Sequence, residues 1–335
     1  MKKVLYIGNK LSGHGLNKTT VETLGEDLSR EGYTVITVSH RKNFLLRLLH
    51  MSWATLTCVK VDFILIDTYS TSAFWYALVC SQIARLRKIP YIPILHGGNL
   101  PNRLQNNSRL CRVIFAHAYQ NVAPSHYLKS EFETYGYTNV TYIPNTLELE
   151  KYPFKLRKQV TLKLLWVRAF ASIYNPSMAV KVLAKLKETY PNASLTMVGP
   201  DKDGSLELTQ LLAQELNVAV TFTGRLSKSD WWQLSKEHDV FINTTHFDNT
   251  PVSVMEAMAL GLPVVSTNVG GIPYLVENGS TALLVNDNDV SAMVLQLKML
   301  EEHPLLSEQL STSGRQLAET WDWQKVKVLW FELLK

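Results

Sequence analysis

Apolar residues fall into short, nearly continuous runs, and the stretches between them repeat apolar positions at helical spacing. In the first half the runs are KKVLYIG, YTVITVS, VDFILIDT, PYIPILHG, VIFAH, NVAPS and VTYIPN. The first ends in glycine and a polar loop, Asn9 to Asn17. A helix from about Thr19 to Arg30 follows, then Gly32 and the next strand. Strand, loop, helix, strand in that order specifies a parallel sheet with right-handed crossovers. The charged, proline-containing stretch LELEKYPFKLRKQVT, Leu147 to Thr161, breaks the pattern and reads as a linker. The alternation then restarts. LKLLWVRAF, SLTMVGP, VTFTG, VFINTT, PVVST and ALLV read as strands. Helices are expected near Ser177–Tyr190 and Leu206–Leu216, from about Ser229, and from Pro251. The tail from about Pro304 is helical and amphipathic, carrying Trp321, Trp323, Trp330 and Phe331. The fold class is α/β, with two doubly wound domains, 1–150 and 151–315. Ligands of open parallel sheets bind beyond the carboxyl ends of the strands, so two such sheets facing each other place those loops around one cleft.

Composition narrows this picture. With 335 residues, 46% hydrophobic and 19% charged, each half can bury a core, which excludes a disordered or fibrous chain. Cys58, Cys80 and Cys111 lie in apolar segments without C-x-x-C spacing and read as reduced core residues of a cytoplasmic protein. The opening MKKVLYIGNK has too short an apolar stretch for a signal peptide. VDFILIDTYSTSAFWYALVCSQIARLR is interrupted by Asp67 and ends in arginines, so it reads as a strand and a helix rather than a span. The net charge of +5 fits a solvated surface, and no nucleic-acid partner is expected. His40 to Trp53 mixes Arg41, Lys42 and Arg47 with Phe44, Leu45, Leu48, Leu49 and Trp53 at helical spacing. Such a helix could lie on an anionic membrane. Packing on its own sheet is the preferred reading.

Candidate chemistry concentrates at strand ends. In DNTPVSVMEAMALGLPVVSTNVGG, Thr250 suits an N-cap, Pro251 the first helical position, and Gly261 the helix end. The amides of Val252 and Ser253 are then free for a phosphate. Asp248 precedes the cap, and Glu256 lies near the same face of the helix. Two carboxylates beside an anion site make sense if hydroxyls flank the phosphate, as on a sugar. A well-capped surface helix with two solvated acids is the alternative. In the first half, NKLSGHGLNKTT carries Gly13 and Gly15, a weak G-x-G that is usually a turn. His96 ends a buried strand and is followed by Gly97 and Gly98, which let backbone approach a ligand. Its alternative role is to stabilise the loop.

These segments resemble glycosyltransferase family 4, of the retaining GT-B fold. Asp248 and Glu256 have the separation of the two acids that precede the family's E-A-M-A-x-G-x-P-V-V run. VGGIPYLVENGSTALLV is similar to the run that follows, with Tyr274 where an acid is usual and Ala282 where a glycine is usual. The resemblance implies that Glu256 holds the donor ribose, Asp248 contacts the donor sugar, and Arg168 clamps the diphosphate. Tyr174, Asn175 and Pro176 stand in the stretch where the family has a lysine, so either Arg168 alone does the work of two cations or Lys181 or Arg225 assists. It further implies that the loop of Gly224, Arg225 and Leu226 holds the base. Asn175, Asn249, Thr250, Val252 and Ser253 join the donor-binding set. Gly13, Gly15 and Gly97 approach the donor, and His96 contacts its sugar or the reacting centre. Residues 316–335 would cross back onto the first domain.

The implied activity is that of a retaining, metal-independent hexosyltransferase using a nucleotide-sugar donor and no cofactor. Arg168 and the helix N-terminus would stabilise the leaving group, Asp248 would orient the sugar, and His96 would sit on its other face. No acid is placed as a covalent nucleophile, so a same-face displacement is expected. Asp201–Asp203 and Asp287–Asp289 read as loops rather than metal ligands. A glycan or lipid-linked acceptor, in surface polysaccharide or glycolipid synthesis, follows by analogy, with peripheral contact at the inner membrane surface a further partner reading. Three rivals stand beside it. A nicotinamide-dependent dehydrogenase would need G-x-G-x-x-G in the first turn and an acid after the second strand, where this chain has G-H-G-L-N-K and His40–Arg41. The others are an epimerase or phosphorylase of the same architecture and an inert scaffold, the last favoured by the missing lysine and by Tyr274.

Overall fold

The computed structural model describes residues 2–14 and 18–335. Gly15 therefore lies outside the described residues. The chain divides into two compact units, Met1–Asn145 with Lys327–Lys335, and Thr146–Val326.

The first unit is a six-stranded sheet: β1 (Lys3–Ile7), β2 (Thr34–Val38), β3 (Phe63–Tyr69), β4 (Tyr91–His96), β5 (Asn121–Ala123) and β6 (Val140–Tyr142). Its order is β2-β1-β3-β4-β5-β6, with every pair parallel. Helices α1 (Thr20–Arg30), α2 (Phe44–Thr57), α3 (Phe74–Leu86), α4 (Leu100–Asn106), α5 (Ser108–Phe115) and α6 (His126–Thr134) form the crossovers. Leu5, Ile64, Phe74, Phe115 and Phe132 anchor the core. The order reverses between β1 and β3, so a crevice opens beyond their carboxyl ends, as in flavodoxin-like sheets.

The second unit has β7 (Lys163–Val167), β8 (Ser194–Val198), β9 (Thr221–Gly224), β10 (Val240–Asn243), β11 (Val264–Thr267) and β12 (Leu283–Val285). All pairs are parallel, in the order β12-β11-β10-β7-β8-β9. Counted within the unit, that is the Rossmann order 3-2-1-4-5-6, with its switch point between β7 and β10. The helices are α7 (Pro176–Lys187), α8 (Ser205–Glu215), α9 (Lys228–Leu234), α10 (Val252–Ala259), α11 (Ile272–Leu275), α12 (Val290–Glu302) and α13 (Pro304–Glu319). Trp166, Phe170, Met178, Leu183 and Leu195 fill one face of this sheet. The last helix, α14 (Trp323–Leu333), begins in the second unit, and its residues from Lys327 on belong to the first. There Phe331 stacks on Tyr33 at 6.0 Å and Lys327 pairs with Glu31 at 2.9 Å.

Two expectations fail for physical reasons. VIFAH is not a strand but the end of α5, whose buried Cys111, Ile114 and Phe115 follow the i, i+3, i+4 spacing of a helix face. The stretch 147–161 is not a spacer either. Leu147, Leu149, Tyr152, Arg157 and Val160 are buried in the second unit. Arg157 spends its guanidinium on the carbonyls of Lys155, Ser235, His238 and Leu260, and burial pushes its pKa down to about 10. Read along the chain, charged residues hid the apolar and hydrogen-bonding ones between them.

Candidate active site

In the second unit Arg168, Asn175, Asp248, Asn249, Thr250, Val252, Ser253 and Glu256 lie in the segments that follow β7 and β10, on either side of the switch point, while Gly224, Arg225 and Leu226 follow the edge strand β9. Arg168 follows β7 directly, and its amide donates to the Val198 carbonyl at 3.0 Å. The loops after β7 and β10 are tied together by threonines. Thr244 Oγ1 donates towards the carbonyls of Tyr174 and Asn175 at 3.1 and 2.9 Å, and Thr245 Oγ1 donates towards Ile173 at 3.0 Å. Behind them, Trp166 Nε1 donates to Thr244 Oγ1. The β10 loop is set from the other side by the Gly270–Gly271 turn. A side chain at either glycine would strike the backbone carbonyl of Asp248 or Asn249, so both must lack one.

Within this frame Arg168 ion-pairs with Asp248 through Nη2 and Oδ2, and its guanidinium lies 4.6 Å from the centre of the Tyr174 ring. The pair is an ion contact rather than an aligned hydrogen bond, and neither Nη2 nor Nε has a hydrogen-bond partner among the described residues. Burial holds the guanidinium below its ordinary pKa, opposed by Tyr174 and Glu256. Tyr174, in the stretch where a lysine was expected, thus supplies a π face to the arginine. Of the two proposed helper cations, Lys181 is exposed on α7, and Arg225 is exposed in the turn after Gly224.

Helix α10 begins one residue later than expected. Pro251, not Thr250, is the N-cap: its ψ of 101° is extended, and its carbonyl accepts from the Val254 and Met255 amides at 3.0 and 3.2 Å. Thr250 is released from capping. Its hydroxyl and that of Ser253 are buried without a hydrogen-bond partner among the described residues. Gly261, at φ +79°, follows the C-cap Leu260, as expected of a helix end.

Glu256 lies within α10 and is buried, not solvated. Its Oε1 accepts from Tyr152 Oη at 2.7 Å and from Lys228 Nζ at 2.8 Å. Burial, and then the Glu256 charge, raise the Tyr152 phenol. Neither partner was legible beforehand, because Tyr152 lay in the supposed linker and Lys228 in the polar run LSKSD. Gly224 ends β9 at φ +68°, and its carbonyl accepts from the Gly199 amide at 2.9 Å. Leu226 packs against the apolar cluster beneath α10. Asn175, the left-handed N-cap of α7, turns its side-chain amide to Asn288 at 3.3 Å, and Asn249 is buried. The paired aspartates serve helix starts or a histidine. Asp203 accepts from Ser172 and Ser205, Asp201 from Leu206, Asp289 from Ala292, and Asp287 pairs with His246.

In the first unit His96 ends β4, its ring stacked on Tyr69 at 4.9 Å and its Nε2 2.8 Å from Asp67 Oδ1. A carboxylate accepts, so Nε2 carries the proton and Nδ1 is the nitrogen not committed to Asp67. The same Oδ1 accepts from Tyr6 Oη at 2.9 Å, while Oδ2 is buried without a partner among the described residues. Gly8 leaves the room for that oxygen: a Cβ there would stand 2.5 Å from it. Asp67 was the overlooked residue, although an acid inside the apolar run FILIDTY was a visible signal. Gly97 follows His96 at φ +84°. Gly13 is exposed on a short 3-10 turn, Ser12–His14, which the Ser12–Glu22 hydrogen bond ties to α1.

Over its full length the chain is similar to the solved structure of HepE from Anabaena in complex with UDP and glucose, at a TM-score of 0.79 and 17% identity, covering 100% of this chain and 99% of that one. Sucrose-phosphate synthase from Thermosynechococcus elongatus gives 0.78 at 16% identity, covering 99% and 98%. The fold is GT-B, two Rossmann-like parallel-sheet domains. In sequence, the glycogen synthase of Mycobacterium tuberculosis is 26% identical over 194 residues, which is 57% of this chain and 47% of that protein. A GDP-mannose-dependent alpha-(1-6)-phosphatidylinositol monomannoside mannosyltransferase of Mycolicibacterium smegmatis is 29% identical over 157 residues, 44% of this chain and 41% of that protein. The chain thus spans about half the length of these curated relatives. The family model described as glycosyl transferases group 1 matches residues 149–317, half of the chain and nearly all of the second unit, and the chain belongs to that family.

Proposed function

We propose that this protein is a retaining glycosyltransferase, moving a hexosyl group from a nucleoside-diphosphate sugar to a glycan or lipid-linked acceptor in surface polysaccharide or glycolipid synthesis. One observation carries the reading. At a Rossmann switch point, buried donors without partners, Arg168 Nε and the hydroxyls of Thr250 and Ser253, accompany the open N-terminus of an apolar helix. Buried donors are almost always satisfied, and a diphosphate offers acceptors in the number and charge this set calls for. Glu256 and Asp248 beside it suit hydroxyls of the ribose and the transferred sugar. HepE, solved with UDP and glucose, and the relative named for GDP-mannose support a nucleotide-sugar donor.

In this reading the bond from the anomeric carbon to the diphosphate oxygen breaks while the acceptor oxygen bonds that carbon on the same face. The acceptor's proton passes to the departing phosphate. Arg168 and the α10 amides stabilise the charge that grows on the leaving group, with neither metal nor cofactor. His96, fixed through Nε2 by Asp67, offers Nδ1 to the sugar or acceptor. A lipid-linked acceptor would bring the chain to a membrane surface. The test is a thermal-shift screen with UDP, GDP and ADP and their sugars, followed by turnover with whichever donor stabilises. A ligand present at a hundred times its Kd adds about 2.7 kcal/mol to the native state. If no nucleotide shifts the melting temperature, the reading fails.

A further inference from the structure

Helix α2 is apolar on two opposite faces. Phe44, Leu48, Met51 and Ala54 face the core of the first unit. Leu45, Leu46, Leu49, Trp53 and Leu56 are each 54–65% exposed. At 3.6 residues per turn those five positions fall within about 100° of arc, a single stripe roughly 17 Å long. Val59, just beyond the helix, is exposed as well. Single exposed apolar residues are ordinary surface, but a contiguous stripe of four leucines and a tryptophan marks a docking face.

Its charge setting selects the occupant. From Tyr33 to Val61 the chain has four Lys or Arg residues and no Asp or Glu. Arg41 and Lys42 stand exposed before the helix and Lys60 stands exposed after it. Arg47 lies on the flank, its Nε donating to Tyr76 Oη at 2.9 Å. Residues 1–145 hold 16 Lys and Arg against 8 Asp and Glu, so the net positive charge of the chain resides in this half. A second copy of the chain on this face would set cation against cation, which disfavours a two-fold interface. A leaflet of anionic lipid answers both features, accepting the leucines and indole at the headgroup boundary and the lysines and arginines at the phosphates. Among the described residues no helix is long and apolar enough to cross a membrane.

We propose that the outer face of α2, Leu45, Leu46, Leu49, Trp53 and Leu56 flanked by Arg41, Lys42 and Lys60, is a site that seats this protein on an anionic lipid surface. The stripe shares no residue with the donor set, and its test needs neither nucleotide nor turnover, so the two readings fail independently. The full chain is sedimented with phosphatidylcholine vesicles, with and without phosphatidylglycerol, at low and high salt. The expected result is binding that needs the anionic lipid, weakens with salt, and falls about tenfold or more in Leu49→Ser/Trp53→Ser. Arg41→Glu/Lys42→Glu should abolish the preference for anionic vesicles. These substitutions touch exposed side chains, and thermal unfolding checks that each variant is folded. Vesicle binding unchanged in both variants, or no binding by the wild type, overturns the proposal. So does light scattering that finds a dimer dissociated by Trp53→Ser, which would assign the stripe to a second copy.

Discussion

In the proposed reading, Asp248 and a diphosphate would compete for the Arg168 guanidinium. Both side chains of the Arg168–Asp248 pair are 15% exposed, so their attraction is screened less than at an open surface. Two unit charges about 4 Å apart at an effective dielectric near 20 attract by roughly 4 kcal/mol before desolvation is subtracted. Desolvation and the unaligned geometry bring the net value down to about 1–2 kcal/mol, the range of an ordinary charged hydrogen bond. A nucleoside diphosphate must take Arg168 from this partner and also meet the carboxylate's negative charge. Asp248→Asn removes both costs, so nucleoside diphosphate should bind more tightly by about 1–2 kcal/mol, or roughly five- to thirtyfold. Turnover should fall at the same time, because the carboxylate proposed to orient the sugar is lost. Isothermal calorimetry with UDP, GDP and ADP reads the first effect, and steady-state kinetics reads the second. Arg168→Lys is the control: it keeps the charge, loses the fork, and should bind nucleotide more weakly than wild type. An unchanged or weakened affinity in Asp248→Asn would refute the competition and leave Asp248 as a prop that holds Arg168 in place.

Glu256→Gln keeps an oxygen for Tyr152 and Lys228, so the fold should survive while nucleotide affinity drops about ten- to a hundredfold in calorimetry; equal affinity would remove Glu256 from the ribose. His96→Ala should lower turnover far more than nucleotide binding. Asp67→Asn should reproduce part of that loss in kcat, and turnover identical to wild type would make Asp67 purely structural. His238 is buried, its Nδ1 donating to the Leu234 carbonyl and its Nε2 accepting from Thr196 Oγ1, and burial lowers its pKa. Below about pH 6.5 the unfolded chain takes up a proton that the folded imidazole resists, so stability is lost as pH falls. Urea midpoints at pH 7.5 and 5.5 should separate less in His238→Gln than in wild type, and an equal separation would assign the effect to other groups.

The alternation of apolar runs with helical spacing determined the α/β class and two Rossmann-like halves, because parallel strands buried on both faces are continuous in hydrophobicity. The positions of His96 at a strand end and of Asp248 and Glu256 around the helix after Pro251 were legible from local signals, whereas Arg168 was singled out by the family resemblance. Contacts between distant segments were not. Tyr152 and Lys228 reach Glu256 across 104 and 28 residues of chain, and Asp67 reaches His96 across 29. Periodicity also left the inward set undecided where both faces of an element are apolar. In α2 the spacing of Phe44, Leu48 and Met51 and that of Leu45, Leu49 and Trp53 are equally helical. Only the packing of the helix shows which set enters the core and which meets solvent. Sequence determines which side chains can be buried, while tertiary structure decides which are, since burial depends on neighbours that the chain brings back from far away.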